Sequence, residues 1–389
     1  EAESKQKHNP LEDAMMLQKV YEHTQVNEPL PCHPLNKNFG AIVDSANTKM
    51  PSGTFFCRTS MKKSAQIRSF ETCDDAIEWL ITKVMKVPNP EFKETLSMGI
   101  ALANKINADV VFGTDPDSDR LGVAIKNEDG EFVALSGNQV GILLLDYILT
   151  RLAEDNQMPK NAAVVKSFVT TGMAKALCDD YGVSLYETPV GFKFIGEKIK
   201  QWEADGKHTY VFGFEESCGY LRGTHARDKD AVVASMLCAE MVCYYVSIGK
   251  TVYGRLQEIY QKYGFVLDKN VSIQYSGLNA MKEMNGVVDG LKTLKIDEFG
   301  GIKVQAVRDY SAAKRTDYQN GSVEIMSIPK CNCVYYELES GSFVCVRPSG
   351  TEPKLKIYYS LRAKDEKTAN EKLVSVQKSV DELLEKAKA

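Results

Sequence analysis

Apolar runs alternate with amphipathic stretches from about residue 89 to residue 250. The segment ADVVFGTD (108–115) predicts a strand, NQVGILLLDYILTRL (138–152) a helix and AAVVKSFVTT (162–171) the next strand. Short runs rich in β-branched residues are typical of buried strands, whereas apolar residues spaced three and four apart are typical of helices. Their alternation predicts α/β layers with largely parallel sheets.

The same rhythm continues to an apolar helix that is predicted to end near Gly249. In α/β sheets of this kind, ligands bind beyond the carboxyl ends of the strands. Three short polar stretches follow predicted strands and so fall at that edge. They are GTDPDSDR (113–120), ETPVGFK (187–193) and FEESCG (214–219).

The pattern changes after about residue 265, where strands follow one another and a long amphipathic helix closes the chain. This predicts a separate α+β domain of roughly 120 residues. The first 86 residues are polar and weakly periodic, and only DDAIEWLITKVMK (74–86) predicts a helix. We therefore expect four segments. They are an uncertain segment 1–86, α/β domains at 87–160 and 161–265, and the α+β domain at 266–389.

Composition adds limits on location and partners. The chain has 389 residues, 43% of them hydrophobic and 26% charged, with a net charge of −4. These values are typical of a globular protein and do not favour nucleic acid or an anionic membrane as a partner. The ten cysteines contain no C-x-x-C pair, which favours reduced thiols in a cytoplasmic protein. The apolar stretch 231–249 contains Glu240, which favours a buried helix over a membrane span.

The first candidate site is the acidic loop after the strand at 108–115. Asp115, Asp117 and Asp119 alternate, so in an extended loop their carboxylates point to one side and repel each other. A hard divalent cation such as Mg²⁺ would relieve that repulsion. The loop is not an EF-hand, because Arg120 and Lys126 occupy the positions that need Gly and Glu. A solvated acidic turn is the alternative.

The second candidate is RPSGTEPKLK (347–356), which lies between two predicted strands. Its side chains offer cationic and hydroxyl donors, and Gly350 allows backbone N–H groups to turn inward. That combination suits a phosphate group. A polar hairpin connection is the alternative. The donors are Arg347, Ser349, Thr351 and Lys354.

Two further segments have the chemistry to handle a sugar. Glu215, Glu216 and Ser217 in GFEESCGY (213–220) could hold hydroxyl groups, although a solvated loop is equally compatible. In THARDKDA (224–231), Lys229 stands between acids and could transfer a proton if it is desolvated. A charge cluster at a helix start is the alternative for that segment.

Together and in this order, the five segments resemble the α-D-phosphohexomutase family of phosphoglucomutases, phosphomannomutases and phosphopentomutases. The resemblance covers about residues 87–389, and its details are most similar to the branch of phosphoglucomutase 2 and phosphopentomutase. The matching segments are TDPDSDR (magnesium loop), TPVGFK (phosphosugar loop), FGFEESCGY (sugar loop), RDKD (catalytic lysine) and RPSGTEPKLKIY (phosphate loop).

The resemblance implies consecutive mixed-sheet α/β domains that line a cleft, followed by an α+β domain. It also implies an enzyme that interconverts hexose 1- and 6-phosphates, or pentose 1- and 5-phosphates. A phosphoserine would donate its phosphoryl group, and the reaction would pass through a bisphosphorylated intermediate. The implied ligands are one Mg²⁺ per chain, glucose 1,6-bisphosphate as activator and a small phosphosugar. We expect a monomer or a weak homodimer.

The resemblance also assigns roles to residues. The metal ligands would be Asp115, Asp117 and Asp119, and the catalytic residues would be Lys229 and Arg120. The substrate-binding residues would be Thr188, Gly191, Lys193, Glu215, Ser217, Arg347, Ser349, Gly350, Thr351 and Lys354.

One family motif departs from the pattern. The family's nucleophile lies in T-A-S-H-N-P, whereas KQKHNP (5–10) keeps His8, Asn9 and Pro10 but has Lys7 in place of the serine. We therefore expect that the chain lacks an intact phosphoserine domain. Three hypotheses follow: a phosphoglucomutase-type enzyme, an inactive phosphosugar-binding pseudoenzyme, or a structural remnant.

Overall fold

A computed structural model describes the strands at 55–58 and 67–70 and residues 89–277, 279–350 and 352–388. The two isolated strands, β1 (Phe55–Arg58) and β2 (Ile67–Phe70), pair in antiparallel fashion. The predicted helix at 74–86 and the assignments at Lys7 and His8–Pro10 lie outside the described residues.

The chain divides into two compact units. The first comprises Glu1–Lys126 with Gly130–Ala134, and the second comprises Asn127–Asp129 with Leu135–Ala389. The four-part division expected from the sequence is finer than these units and stays a prediction.

Besides the β1–β2 pair, the described part of the first unit contains one helix and a small antiparallel sheet in the order β3-β4-β5. Leu96 and Ala103 of the helix pack against Val111 and Ala124 of the sheet. The sequence predicted largely parallel sheets, but a six-residue loop joins β3 to β4. That loop is too short for a parallel crossover, so the strands run antiparallel. The elements are α1 (Lys93–Ile106), β3 (Val110–Thr114), β4 (Leu121–Lys126) and β5 (Phe132–Ala134).

The second unit begins with the predicted α/β alternation. Its four-stranded sheet has the order β7-β6-β8-β9, in which β6 runs parallel to β7 and β8, and β9 is antiparallel. The strands are β6 (Ala162–Ser167), β7 (Ser184–Thr188), β8 (Thr209–Glu215) and β9 (Gly219–Leu221). The helices are α2 (Gly137–Glu154), α3 (Met173–Asp180), α4 (Phe192–Asp205), α5 (Ala231–Ser247) and α6 (Val252–Tyr263).

The start of α2 lies directly against the loop after β8. Ser136 caps the helix through a capping box with Gln139. A Cβ atom on Gly137 would lie 2.1 Å from the carbonyl oxygen of Glu216, so glycine permits the close approach. The cap and the glycine together place the helix N-terminus beside a predicted sugar loop.

The rest of the second unit is an eight-stranded antiparallel sheet with the path β10-β17-β16-β15-β12-β13-β14, and β11 pairs with β12. Helices α7 and α8 cover one face and bury the apolar side chains there. The strands are β10 (Phe265–Gln274), β11 (Glu298–Phe299), β12 (Ile302–Asp309), β13 (Lys314–Asp317), β14 (Val323–Ile325), β15 (Val334–Leu338), β16 (Phe343–Pro348) and β17 (Lys354–Ala363). The helices are α7 (Ala280–Thr293) and α8 (Glu366–Lys388), and Glu339–Gly341 form a 3₁₀ turn.

An aromatic cluster covers part of the opposite face of this sheet and joins it to the parallel sheet. Phe168, in the loop after β6, stacks on Tyr310 with ring centroids 4.2 Å apart. Tyr335 and Phe343 stack beside them at 4.7 Å. Because these rings form one buried cluster, the parallel and antiparallel sheets share a core.

A chain of ion pairs runs through the same junction. The Lys166 ammonium, which is 2% exposed, donates to Glu187 at 2.9 Å, and Arg308 donates to the other Glu187 oxygen at 2.8 Å. Arg308 also pairs with Glu337, which accepts a second, bidentate contact from Arg315 at 2.9 and 2.8 Å. Charged groups from β6, β7, β12, β13 and β15 are thereby connected.

These contacts change the acidity of Glu187. Burial by itself would raise the pKa of this carboxyl, but the charges and hydrogen bonds of Lys166 and Arg308 lower it to about 2. Glu187 is therefore ionised in the folded protein at neutral pH.

Among the described residues, no single helix is both long and apolar enough to span a membrane. Only α5 and α6 taken together meet the length and composition criteria, and they are bent by 86° relative to each other.

We predict that Glu187→Gln destabilises the protein near neutral pH by on the order of 2 kcal/mol. Solvent reduces the effect, because the Glu187 side chain is 32% exposed. A carboxyl whose pKa is lowered on folding stabilises the protein above its unfolded pKa, and that contribution disappears as pH falls. The difference between wild type and variant should therefore be full above about pH 5 and shrink from about pH 4.5 toward pH 2.

Urea unfolding at a series of pH values measures this difference. Asp297→Asn is the matched control, because Asp297 pairs with Lys295 on the surface with about three quarters of each side chain exposed. Its effect should be small. An effect of Glu187→Gln that is independent of pH would contradict the prediction.

Candidate active site

The turn between β3 and β4 folds around Asp115. Its Oδ1 accepts hydrogen bonds from the backbone N–H groups of Asp119 at 3.1 Å and Arg120 at 3.0 Å. Ser118, with φ of 57°, reverses the chain in the left-handed region. As a result, carboxylate oxygens of Asp115, Asp117 and Asp119 lie within 4.8 Å of one another, as the alternating spacing predicted.

This carboxylate cluster is electrostatically poised for a cation. Burial is the main cause that raises the pKa of Asp115, to about 7. The N–H of Arg120 lowers it, while Asp119 and Asp117 raise it further. The Arg120 guanidinium lies 3.6 Å from Asp115, 3.8 Å from Asp119 and 3.5 Å from Glu91. An oxygen-only donor set of three crowded carboxylates fits Mg²⁺.

In the second unit, two predicted sugar loops are joined by one hydrogen bond. The backbone N–H of Gly191 donates to Oε1 of Glu215 at 2.7 Å, and Glu215 is 4% exposed. Gly191 has φ of 123°, a conformation that favours glycine. The Glu215 loop also turns through Cys218 at φ of 65°, next to the half-buried Ser217. The loop after β7 therefore orients the carboxylate at the end of β8.

Lys229 contacts both of these loops. A Cβ atom on Gly219 would lie 2.3 Å from Cδ of Lys229, so the aliphatic part of the lysine lies directly over the glycine. The Lys229 ammonium donates to Asp228 at 2.9 Å and lies 5.9 Å from the centre of the Phe192 ring. Asp230 caps α5 by accepting from two N–H groups, which holds the segment in place.

Two other predicted substrate residues have different surroundings. Thr188 is buried, and its hydroxyl donates to the carbonyl of Lys166 at 3.4 Å, so it supports the strand edge. Lys193 is exposed on the first turn of α4, with its ammonium 5.1 Å from the Phe194 ring.

The predicted phosphate-binding residues lie in the β16–β17 loop and at the strand ends beside it. Arg347 Nη1 lies 3.5 Å from the Tyr358 hydroxyl. The N–H of Ser349 donates to the carbonyl of Lys354 at 2.8 Å, which closes the loop. The ammonium of Lys354 pairs with Glu352 at 2.9 Å, and Gly350 is exposed. Thr351 lies outside the described residues.

The aromatic cluster connects this loop to the sugar loops. Val190, beside Gly191, packs against the cluster that contains Tyr358. Burial and the nearby charge of Glu216 raise the pKa of Tyr358 well above its usual value. The structure thus gathers the motifs at 188–193, 214–219 and 347–354 around the shared core of the second unit.

Sequence reasoning grouped Glu216 with Glu215 and Ser217 as groups that could hold sugar hydroxyls, and it did not single out Lys166 at all. Glu216 is buried, and it accepts hydrogen bonds from the hydroxyls of Ser167 at 3.1 Å and Thr170 at 3.2 Å. These bonds connect the loop after β6 to the sugar loop after β8. The sequence did carry a signal for Lys166. A lysine inside the apolar run AAVVKS needs a specific partner for its charge once the strand is buried.

Comparison with known proteins matches two segments of the chain to family models. Residues 74–130 match the phosphoglucomutase/phosphomannomutase alpha/beta/alpha domain II, and residues 136–263 match the corresponding domain III. The first match contains the acidic loop, and the second contains the two sugar loops and Lys229.

Curated relatives and solved structures agree with these matches. The chain is 34% identical to a phosphoglucomutase of Staphylococcus haemolyticus over 277 residues, which are 71% of this chain and 49% of the relative. A phosphoglucomutase from Staphylococcus aureus is equally similar. The chain therefore spans about half the length of the curated relatives it matches.

The fold is similar to that of parafusin from Paramecium, a phosphoglucomutase. The TM-score is 0.53 at 20% identity, over 77% of this chain and 50% of the other. This structural similarity supports the fold, whereas the evolutionary relationship rests on the sequence matches. The family models, the relatives and the order of the motifs show that the chain belongs to the α-D-phosphohexomutase family.

Proposed function

We propose that this protein is a phosphosugar mutase of the phosphoglucomutase type. It interconverts a hexose 1-phosphate and 6-phosphate, or the pentose equivalents, through a bisphosphorylated intermediate. The observation that carries the proposal is the convergence of three motifs in the second unit. Gly191 orients Glu215, and Lys229 lies over Gly219 beside Phe192.

The residues of this cluster suit complementary tasks. The buried Glu215 carboxylate accepts hydrogen bonds from sugar hydroxyls, and the Ser217 hydroxyl donates to them or accepts from them. Because the Gly191 N–H occupies one Glu215 oxygen, the carboxylate has a defined orientation before the sugar binds. Thr188 supports the strand edge that leads into the loop, and Lys193 on the first turn of α4 supplies a cation for a substrate phosphate.

Lys229 is proposed as the general acid and base. Its side chain is 13% exposed and its stem is confined by Gly219, so the ammonium reaches the sugar loops from a fixed direction. A confined, partly desolvated lysine can give a proton to a leaving oxygen or take one from an attacking hydroxyl.

The loop after β16 is proposed to bind the phosphate that does not react. Arg347 is held near Tyr358, and Ser349 and Gly350 follow it on a closed turn. Thr351 is the next residue in the sequence. An arginine with neighbouring backbone and hydroxyl donors recognises phosphate oxygens well. Lys354, at the other end of the turn, adds a second positive charge.

Asp115, Asp117 and Asp119 are proposed to hold one Mg²⁺ per chain. When bound, such an ion neutralises charge on a transferring phosphoryl group. The side chain of Arg120 balances the same carboxylates from within the loop. The family's phosphoryl-donor serine is replaced by Lys7 in this sequence, and that position lies outside the described residues.

Several finer features belong to the same proposal. They are activation by glucose 1,6-bisphosphate, a cytoplasmic location, a monomeric or weakly dimeric state, and no nucleic acid or membrane partner. They rest on the family resemblance and on the composition of the chain.

We predict mutase activity in a coupled assay with glucose 1-phosphate, Mg²⁺ and a trace of glucose 1,6-bisphosphate. Asp117→Ala should reduce the rate by at least about 100-fold, because charge stabilisation at a transferring group is a large catalytic term. Asp129→Ala removes an exposed carboxylate from the nearby turn and should leave the rate unchanged.

A folded wild-type protein that binds glucose 1-phosphate but shows no turnover would reject the mutase proposal. It would instead support a phosphosugar-binding pseudoenzyme. Equal rates for wild type and Asp117→Ala would reject the metal assignment.

A second prediction concerns Lys229. Lys229→Arg keeps the positive charge, but guanidinium does not deprotonate, so kcat should fall by about 100-fold to 10,000-fold with a smaller change in KM. Lys200→Met, an exposed change on α4, is the control for loss of a surface lysine. An arginine variant with the wild-type kcat and pH profile would exclude Lys229 as the acid and base.

A further inference from the structure

Helix α5 is apolar on every face, although one of its faces is exposed. Over Ala231–Ser247 it contains a single charged residue, Glu240. A helix of that composition is normally buried on all sides. In this structure the residues of α5 that are buried lie on one side of the helix. They are Ala231, Ala234, Leu237, Cys238, Met241 and Tyr245.

The opposite face of α5 carries a regular apolar stripe. Val232, Met236 and Val246 are 70%, 61% and 62% exposed, and Ala239 and Cys243 between them are also exposed. These five residues, the α5 stripe, follow one another at intervals of four, three, four and three positions. The same spacing forms the contact seam of a coiled coil. An exposed apolar surface that is continuous along a helix marks an interaction site more often than scattered apolar residues do.

The α5 stripe is complementary to a second copy of itself that runs in the opposite direction. About a two-fold axis at Ala239, Val232 of one copy falls opposite Val246 of the other, and Met236 falls opposite Cys243. Alanine at the centre allows the two helices to approach closely, and the long Met236 side chain meets a shorter one. A two-fold contact requires this kind of self-complementary surface.

Charged residues beyond the two ends of α5 favour the same direction. Asp228 is exposed just before the helix and Lys250 just after it, eleven positions on either side of Ala239. Antiparallel packing brings Asp228 of each copy to the end at which Lys250 of the other copy lies. Parallel packing would bring like charges together at both ends. Antiparallel packing also places the positive end of each helix dipole beside the negative end of the other.

A lipid surface is a poorer match for the α5 stripe. Helices that lie in a membrane interface typically carry Lys and Arg on their polar face. Helix α5 contains neither residue, and its one carboxylate, that of Glu240, accepts a hydrogen bond from Tyr147 of α2 at 2.8 Å. An apolar surface of matching shape on a second copy therefore fits better.

We propose that α5 is the contact surface of a homodimer, in which two copies pack their α5 stripes antiparallel about a two-fold axis at Ala239. One helix from each copy forms the centre of the contact, so the interface is small and the dimer is weak. We expect a dissociation constant of roughly 1–100 µM. Dimerisation does not require mutase activity, so either proposal can fail without the other.

Sedimentation velocity over a concentration series tests the surface. The wild-type protein should shift from monomer to dimer between about 1 and 300 µM, the range set by the expected affinity. Val246→Lys places a charge in the apolar contact and should weaken dimerisation by at least about tenfold. Val374→Lys is the matched control, because Val374 on α8 is similarly exposed, at 69%, and should not change dimerisation.

Disulfide formation tests the direction of packing. Met236→Cys places a thiol opposite Cys243 of the other copy, and mild oxidation with oxidised glutathione should join the two copies through positions 236 and 243. The same two positions within one helix are about 10 Å apart, too far for a disulfide. Peptide mass spectrometry identifies the linked pair, and Met236→Cys combined with Cys243→Ser should not form this link.

Three results would overturn the proposal. The first is a wild-type protein that stays monomeric across the concentration series. The second is a dimer that Val246→Lys leaves unchanged, or that Val374→Lys weakens as much. The third is a link between the two Cys243 residues of oxidised wild-type protein in place of the 236–243 link in the variant, since that pattern requires parallel helices.

Discussion

The second unit depends on the pairing of Glu187 with two cations from different sheets. Lys166 approaches it from the parallel sheet, and Arg308 approaches it from the antiparallel sheet. The buried Lys166 needs a counter-charge, which Glu187 provides. Arg308 also pairs with Glu337, so β15 is connected to the same network. Glu187 directly precedes Thr188, so the same carboxylate fixes where the phosphosugar loop begins.

Contacts at this junction also restrict the conformation of the sugar loops. Phe168 and Val190 pack on aromatic side chains of the antiparallel sheet, and Glu216 receives hydroxyl hydrogen bonds from the loop after β6. Apolar side chains therefore hold the loops in the core, and hydrogen bonds between polar groups connect one loop to the next. A site built in this way is ordered before a substrate arrives, which reduces the entropy lost on binding.

Much of this protein was predictable from local pattern. Residue spacing, which acts over a few positions, indicated the alternation of helices and strands between 89 and 250. It also indicated the consecutive strands after about residue 265 and the acidic loop. Asp115, Asp117 and Asp119 meet because neighbours in a short loop have no freedom to separate. The family resemblance added roles for Lys229 and Arg347 that spacing alone left open.

The tertiary structure decided what local pattern could not. The sheet after α1 is antiparallel because of the length of one loop. Glu187 pairs with Lys166 across 21 positions of sequence and with Arg308 across 121 positions. Lys229 lies over Gly219 because the segment that enters α5 packs against β9. A contact between distant residues depends on how sheets pack and which charges become buried together. The sequence by itself therefore determined the elements and the chemistry of each motif, while packing determined which motifs share a site.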